Sequence, residues 1–244
     1  MSYFESRLRI NFDNLEEVRQ TLNFCEQLGI KNLILEPIKN SNNYKAELLN
    51  KIKKITNLNI YYRFNLRPSN LNVFKKTIKK FNSFPHILGV ETPDKEIQIQ
   101  AAKDSRIDIL SFSNENIMKT ISIGVISLIK QNNSFIEFSL APIMMKSIGI
   151  QSKNFRNLYR FTKLVLDLKP NYIISGNFSE LYQFRNPRSL LSICHTLLGM
   201  SLDEAKKGFR DNVQLLLERA NHRVNKNIYQ EGVKFIKGGD NGYV

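Results

Sequence analysis

The 244-residue chain has few of the residues from which metal and disulfide sites are built. Its two cysteines, Cys25 and Cys194, are isolated, so neither a disulfide framework nor a zinc site is indicated, and a reducing compartment suits them. Its three histidines show no H-x-H or H-E-x-x-H spacing. We therefore predict no metal site and no cofactor bound by this chain.

Other absences restrict the fold and the location. Glycine occurs only 11 times, and no predicted strand is followed by a G-x-G-x-x-G or GK[ST] turn, so a doubly wound nucleotide-binding sheet lacks its usual signature. No serine stands in a G-x-S-x-G elbow, which removes the usual esterase interpretation. No segment approaches the run of about 18 apolar residues that a membrane helix needs, and residues 1–7 lack a leader-like apolar run. We expect a cytoplasmic protein that does not span a membrane.

Acidic residues are missing from a long central tract. Overall, the chain contains 36 Lys and Arg residues and 22 Asp and Glu residues, which gives a formal net charge of +14. No acid occurs between Glu47 and Glu91, whereas this tract holds Lys51, Lys53, Lys54, Arg63, Arg67, Lys75, Lys76, Lys79 and Lys80. Such an imbalance favours a polyanionic partner, with a merely basic soluble enzyme as the alternative.

Strands and helices alternate along the chain. The apolar periodicity predicts seven strands, at about 5–11, 31–36, 57–68, 86–91, 107–113, 135–140 and 172–175. Helices are expected at about 13–29, capped by Asp13, and at 44–56, 70–82, 94–103, 114–131 and 153–168, with two more starting at Asn186 and Ser201. Repeated βα units of this length predict an α/β fold, a TIM-barrel-like (β/α) barrel that is irregular in having about seven strands. We assign residues 1–236 to this single domain and 237–244 to a flexible tail.

The strand at 57–68 has two different faces. Ile60, Tyr62, Phe64 and Leu66 fall on one face, whereas Arg63 and Arg67 fall on the other. If the apolar face meets the helices, Arg63 points into the barrel and Arg67 lies at its C-terminal rim. The same alternation places Glu137 and Ser139 inside, and Arg9, Glu36 and Glu91 are candidates to join them. Two interpretations are open, a catalytic or phosphate-binding site at the barrel mouth and a mutually satisfied ion network.

A second local signal follows the last predicted strand. Arg185 and Arg188 flank Asn186-Pro187 at a predicted helix N-terminus, where free backbone N–H groups favour an anion. Arginine also matches phosphate bidentately. A phosphate site and a pair of solvated arginines are both consistent with this segment.

The order of these features resembles the TIM-barrel protein subunit of archaeal and eukaryotic ribonuclease P, component 3. The resemblance spans about residues 85–210, and the matching segments are Ala101–Phe112, Ile136–Pro142, Ile173–Gly176 through Arg185–Arg188, and Leu197–Lys206. The first strand departs from the family, because Arg7–Asn11 stands where an aspartate-containing opening is expected.

The resemblance implies a protein that works inside a catalytic particle without catalytic residues of its own. The RNA subunit, with its Mg²⁺, would remove the 5′ leader of precursor tRNA, and the isolated chain would be inactive. The chain would bind ribonuclease P RNA, precursor tRNA in the complex, a small α/β protein subunit and other ribonuclease P proteins. The family's barrel is similar to PHP-class phosphoesterases, whose histidine ligands are missing here. The RNA-facing candidates are Arg63, Arg67, Arg106, Arg185 and Arg188, with Arg106 carried by the family match alone.

Two other functions are kept as alternatives. One is a metal-dependent barrel phosphoesterase for a small molecule, with Glu36, Glu91 and Glu137 around Arg63. The other is a general RNA-binding or assembly protein outside tRNA processing.

Overall fold

Seven parallel strands form the centre of the molecule. The computed structural model describes residues 3–38, 46–178, 181–224, 228–230 and 233–234. The strands are β1 (Phe4–Ile10), β2 (Asn32–Pro37), β3 (Asn59–Leu66), β4 (Ile87–Val90), β5 (Ile109–Phe112), β6 (Phe135–Ser139) and β7 (Asn171–Ser175). They pair in sequence order from β1 to β7, and each ladder is parallel. The sheet curls into a nearly closed barrel, which confirms the predicted fold.

The seam between β7 and β1 is closed by side chains. Ser6 Oγ donates to the carbonyl oxygen of Ile174 at 3.0 Å, and the Gly176 N–H donates to Glu5 Oε1 at 2.9 Å. Glu5 is buried, and it also accepts from the Arg7 N–H at 3.1 Å. Burial raises the pKa of the Glu5 carboxyl from 4.5 to about 7, although these backbone donors oppose the shift.

Helices connect successive strands and cover the outside of the barrel. They are α1 (Leu15–Gln27), α2 (Ala46–Lys54), α3 (Leu71–Ile78), α4 (Lys95–Lys103), α5 (Glu115–Met118), α6 (Ile123–Gln131), α7 (Ile148–Leu168), α8 (Pro187–Thr196), α9 (Leu202–Lys206) and α10 (Asn212–Val224). A 3₁₀ turn, Lys79–Phe81, extends α3, and a π-helical segment, Lys207–Asp211, joins α9 to α10. Ile60, Tyr62, Phe64 and Leu66 pack in the core between sheet and helices, as their alternation predicted.

Local capping chemistry explains where several helices begin. Asn186 accepts from the Ser189 N–H at 2.9 Å at the start of α8, and Ser201 forms the predicted capping box with Glu204. Several boundaries differ from the prediction, and α7 begins at Ile148 rather than at residue 153. Asn14, not Asp13, caps α1, because its amide oxygen accepts from the Glu17 N–H. The helix predicted at 114–131 is two helices, since the Ser122 side chain starts a new one at α6.

α10 lies across the N-terminal end of the barrel. Its apolar residues Val213, Leu216 and Ala220 pack on an inner layer of strand residues: Phe4, Ile34, Ile87, Ile109, Phe135 and Ile173. Arg223 donates to both carboxylate oxygens of the buried Asp108 at 2.8 and 2.9 Å and to the carbonyl oxygen of His86 at 2.6 Å. The base of the barrel is therefore sealed by a helix and by arginine bonds to the loops beneath the strands.

The final part of the described chain adds a short hairpin that the sequence analysis did not predict. It consists of β8 (Ile228–Gln230) and β9 (Val233–Lys234), which pair antiparallel. The predicted tail at 237–244 lies outside the described residues. Within the described residues, no helix is both long enough and apolar enough to cross a membrane.

Candidate functional site

The C-terminal mouth of the barrel holds a buried ion network whose centre is Arg63. Its side chain is 0% exposed and comes from the inward face of β3. The guanidinium donates to Glu137 Oε1 at 2.9 Å and to Glu137 Oε2 at 2.7 Å, a bidentate pair. It also donates to Asn65 Oδ1 at 3.0 Å and to Ser111 Oγ at 3.1 Å. The inward direction predicted for Arg63 and Glu137 is confirmed.

Arg7 is a second buried cation of the network, and the sequence analysis did not single it out. It is also 0% exposed. Its guanidinium donates to both oxygens of Glu36, at 2.7 and 3.2 Å, and to Glu91 Oε2 at 2.8 Å. It lies 3.6 Å from Glu137 as well. The signal was present in the sequence, because Arg7 and Arg9 are two residues apart and so share one face of β1.

Arg67 completes the network at the rim, where its side chain is 32% exposed. It bridges Glu36 at 2.5 Å and Glu91 at 2.7 Å. Ser113, which directly follows β5, donates to Glu91. Three arginines therefore neutralise three glutamates, and the two deepest cations have no exposed surface.

Arg9 was a candidate member of this network, but it makes no ion pair with the described residues. Its neighbour across the ladder is Glu36. Its Nε is buried without a hydrogen-bond partner in the described part of the chain. Burial and the adjacent Arg7 lower the pKa of Arg9. Arg7 precedes Arg9 by two residues and so lies farther from the C-terminal rim, where it is fully buried and reaches Glu36, Glu91 and Glu137.

The arginines determine the ionisation of the mouth carboxylates. Burial alone would raise the pKa of Glu137, but Arg63 and Arg7 hold that pKa below its usual range. In the same way, Arg7 and Arg67 overcome burial and hold the pKa of Glu91 well below its usual range. Both carboxylates are therefore ionised near neutral pH and fully engaged with cations.

This geometry favours the ion-network interpretation over a catalytic one. A general acid or base needs a carboxyl group that can exchange a proton near neutral pH and reach a substrate. Glu91 and Glu137 have depressed pKa values, and their oxygens face guanidinium groups. Among the described residues, no group of three or more histidine, cysteine or acidic side chains is arranged to hold a metal ion. The proposed phosphoesterase site on Glu36, Glu91 and Glu137 thus gains no support from their positions.

Gly89 is the position in β4 that makes room for the network. A Cβ atom at this glycine would clash with Asn65 Oδ1, because the two atoms would be much closer than van der Waals contact allows. The same oxygen accepts a hydrogen bond from Arg63. We expect Gly89→Ala to lower the free energy of unfolding by about 1–3 kcal/mol, the usual cost of overpacking. Chemical denaturation measures this change.

The matched control for that substitution is Gly124→Ala in α6. A Cβ there meets no atom within 4 Å, and alanine is preferred over glycine within a helix. The control is expected to be neutral or slightly stabilising. A Gly89→Ala protein as stable as the control would contradict the packing argument.

The five arginines proposed to face RNA lie in three separate places. Arg63 and Arg67 are in the mouth network, and the complete burial of Arg63 leaves it no surface to offer an RNA. Arg106 lies near the base, where it binds Asp104 at 2.6 and 2.8 Å and Asn82 at 2.7 Å. Arg185 and Arg188 are exposed at the start of α8. An RNA role for Arg67, Arg106, Arg185 and Arg188 stays a prediction.

The two arginines at the start of α8 differ in the number of hydrogen bonds that their guanidinium groups make with the described residues. Arg185 donates to the carbonyl oxygens of Tyr182 at 2.5 Å and Phe184 at 2.7 Å, so part of its guanidinium fixes the loop. Arg188 makes no hydrogen bond or ion pair with the described residues. It lines a cavity of about 730 Å³ together with Asn186, Pro187, Tyr3, Leu28, Lys206, Phe209 and Arg210. A cationic rim over an apolar floor is therefore present at the helix start.

Comparison with known proteins identifies the family. The family model described as RNase P subunit p30 matches residues 6–225. The chain belongs to the RNase P subunit p30 family. The match includes every strand of the barrel apart from the first two residues of β1. The segment Arg7–Asn11, which departs from the expected family sequence, therefore lies within the matched region of this p30-family chain. A search of curated proteins finds no match.

Solved structures show the same fold at low identity. One is a chain of the cryo-EM structure of archaeal ribonuclease P with mature tRNA, with a TM-score of 0.80 and 18% identity over 97% of this chain and 99% of that chain. A putative prolidase from Bifidobacterium longum gives 0.62 and 8% identity, over 90% of this chain and 70% of that one. An adenine deaminase from Arthrobacter aurescens gives 0.52 and 9%, over 89% and 81%. At these identities the likeness shows a shared barrel only.

Proposed function

We propose that this chain acts in ribonuclease P as a non-catalytic protein subunit in the maturation of tRNA 5′ ends. The observation that carries the proposal is the family match over residues 6–225. In this proposal the RNA subunit and its Mg²⁺ cleave the precursor, and the chain itself binds no cofactor. Its partners are ribonuclease P RNA, precursor tRNA in the complex, a small α/β protein and other protein subunits, and the assembly works in the cytoplasm.

The mouth network supports the non-catalytic part of the proposal. Arg7, Arg63 and Arg67 are bound to the glutamates at the position where barrel enzymes usually hold their substrates. A network that satisfies its own charges links β1, β2, β3 and β6 through Arg7, Glu36, Arg63 and Glu137, but it leaves none of its carboxylates free to activate water. The large positive charge outside this network then serves to neutralise RNA phosphates.

The test is reconstituted cleavage of precursor tRNA at modest Mg²⁺, with the RNA subunit and partner proteins, in the presence and absence of this chain. We expect cleavage to depend on the chain, and we expect the chain alone to cleave nothing. Cleavage that is indifferent to the chain would overturn the proposal. Cleavage by the isolated chain would favour an enzyme whose active site contains the mouth carboxylates. RNA binding without an effect on cleavage would favour a general RNA-binding or assembly protein.

A further inference from the structure

Exposed lysines gather at the N-terminal end of the barrel on one side. In a (β/α) barrel each helix runs antiparallel to its strands, so the last turns of the helices meet at the end where the strands begin. Of the lysines at or near these last turns, we call those of α2, α3, α4 and α6 the basal rim: Lys53, Lys54, Lys79, Lys80, Lys103 and Lys130. All six are exposed. They belong to α2, the end of α3, α4 and α6.

The basal rim carries charge that the protein does not use internally. None of its lysines forms an ion pair with the described residues, whereas Arg63, Arg106 and Arg223 are bound to carboxylates. Two weaker contacts are present: Lys53 Nζ lies 5.8 Å from the centre of the Tyr62 ring, and Lys130 Nζ lies 3.4 Å from the carbonyl oxygen of Leu168. The buried acid at this end, Asp108, is already satisfied by Arg223. The rim therefore presents uncompensated positive charge to solvent.

Helix dipoles alone do not explain this distribution. A cation in a last turn is favoured by the helix dipole at any helix. However, α1 and α7 have no basic residue in their last turns, whereas α2 has three. Single exposed lysines also follow α1 (Lys31) and α7 (Lys169). The lysines are nevertheless concentrated in pairs at the ends of the neighbouring helices α2 and α3, which indicates a surface with a partner.

We propose that the basal rim is a docking surface for the phosphate backbone of folded RNA, at the opposite end of the barrel from the mouth. This inference rests on the proposed function and names the face through which the chain meets RNA. Lysine suits the role because its ammonium group is a mobile point charge that adapts to phosphates. The large apolar side chains of the rim segments, Ile52 and Phe81, are buried, which fits a polyanion and does not fit insertion into a lipid surface.

A matched pair of variants tests the location. The rim variant is Lys54→Ala/Lys79→Ala/Lys80→Ala. The control variant is Arg156→Ala/Arg160→Ala/Lys163→Ala on α7, which also removes three exposed cations that form no ion pair with the described residues, from the side of the barrel between β6 and β7. The first turn of α7 contains the exposed apolar residues Ile148 and Ile150. Exposed apolar side chains are more typical of a protein-binding surface than of an RNA-binding one, which makes α7 a suitable control. The two variants carry the same net charge, so non-specific electrostatics affect both equally.

Binding is measured by fluorescence anisotropy of a labelled transcript of the ribonuclease P RNA from the same organism, across a KCl series. We expect the rim variant to bind about tenfold more weakly at moderate salt, with a slope of log K against log salt reduced by about 2. We expect the control to lose about threefold or less. Equal losses in the two variants, or unchanged binding by the rim variant, would overturn the inference.

A second measurement uses the unaltered chain. The RNA is expected to protect Lys54, Lys79 and Lys80 from an amine-reactive reagent and to leave Lys163 reactive. Protection of Lys163 alone would overturn the inference. Failure of the proposed function is distinguishable, because in that case the unaltered chain does not raise precursor cleavage. If the basal rim alone fails as a docking surface, cleavage still depends on the chain, and the rim variant supports it as well as the control variant does.

Discussion

Replacing Arg63 by methionine is expected to lower the free energy of unfolding by about 3–5 kcal/mol, the usual cost of removing one partner of a buried ion pair. Glu137 is 0% exposed, and both of its oxygens accept from Arg63. Without that guanidinium the carboxylate keeps Ser111 and a 3.6 Å approach to Arg7. These contacts do not replace a bidentate pair. Urea denaturation near neutral pH measures the loss.

A double variant separates loss of the pair from loss of packing. Arg63→Met/Glu137→Gln removes the stranded charge, so it is expected to be more stable than Arg63→Met alone. Arg160→Met, an exposed arginine on α7, is the matched control and is expected to change stability by less than about 0.5 kcal/mol. If Arg63→Met were as mild as this control, the network would not be the stabilising centre of the barrel.

The stability of the protein is expected to fall as the pH rises from about 4.5 to about 7, because Glu5 must ionise within the seam. Its pKa is raised in the folded state, so the native protein binds more protons than the unfolded chain in this window. The stabilising contribution is complete below the unfolded pKa and is lost as the pH rises through the folded pKa. The full shift corresponds to about 3 kcal/mol.

The substitution that tests this titration is Glu5→Gln. A glutamine oxygen keeps the bonds from the Gly176 and Arg7 N–H groups, but the side chain does not ionise. We expect Glu5→Gln to match the unaltered protein near pH 4 and to exceed its stability by about 3 kcal/mol near pH 8. Glu26→Gln, at an exposed position on α1, is the control and is expected to show no such difference. A constant difference between Glu5→Gln and the unaltered protein across this range would refute the titration of Glu5.

The mouth carboxylates act in a different pH range. The pKa values of Glu91 and Glu137 are depressed, so their contribution is present above their unfolded pKa and is lost as the pH falls below about 4.5. The two effects have opposite sign and occupy separate windows. Unfolding free energies measured from pH 3 to pH 8 would therefore resolve them in one series.

The sequence by itself determined those features that depend on residues close together in the chain or on the regular alternation of apolar and polar residues. Alternation with period two predicted that Arg63 and Glu137 point into the barrel, because strand side chains take opposite faces in turn. The caps at Asn186 and Ser201 were predicted correctly, since a cap and its N–H donor lie only three residues apart. The βα order predicted the barrel, because parallel strands need a helical crossover between them.

Only the tertiary structure decided which charges meet and which remain free. Arg7 on β1 reaches Glu36 on β2, Glu91 just after β4 and Glu137 on β6, and no local pattern specifies such a set. The base is sealed by α10, whose Arg223 finds Asp108 from 115 residues away. An arginine count in the sequence cannot separate these buried cations from surface ones. The fold placed Arg7, Arg63 and Arg223 in ion pairs with buried carboxylates and left the basal lysines to solvent, because ionised groups inside a protein require partners and those outside do not.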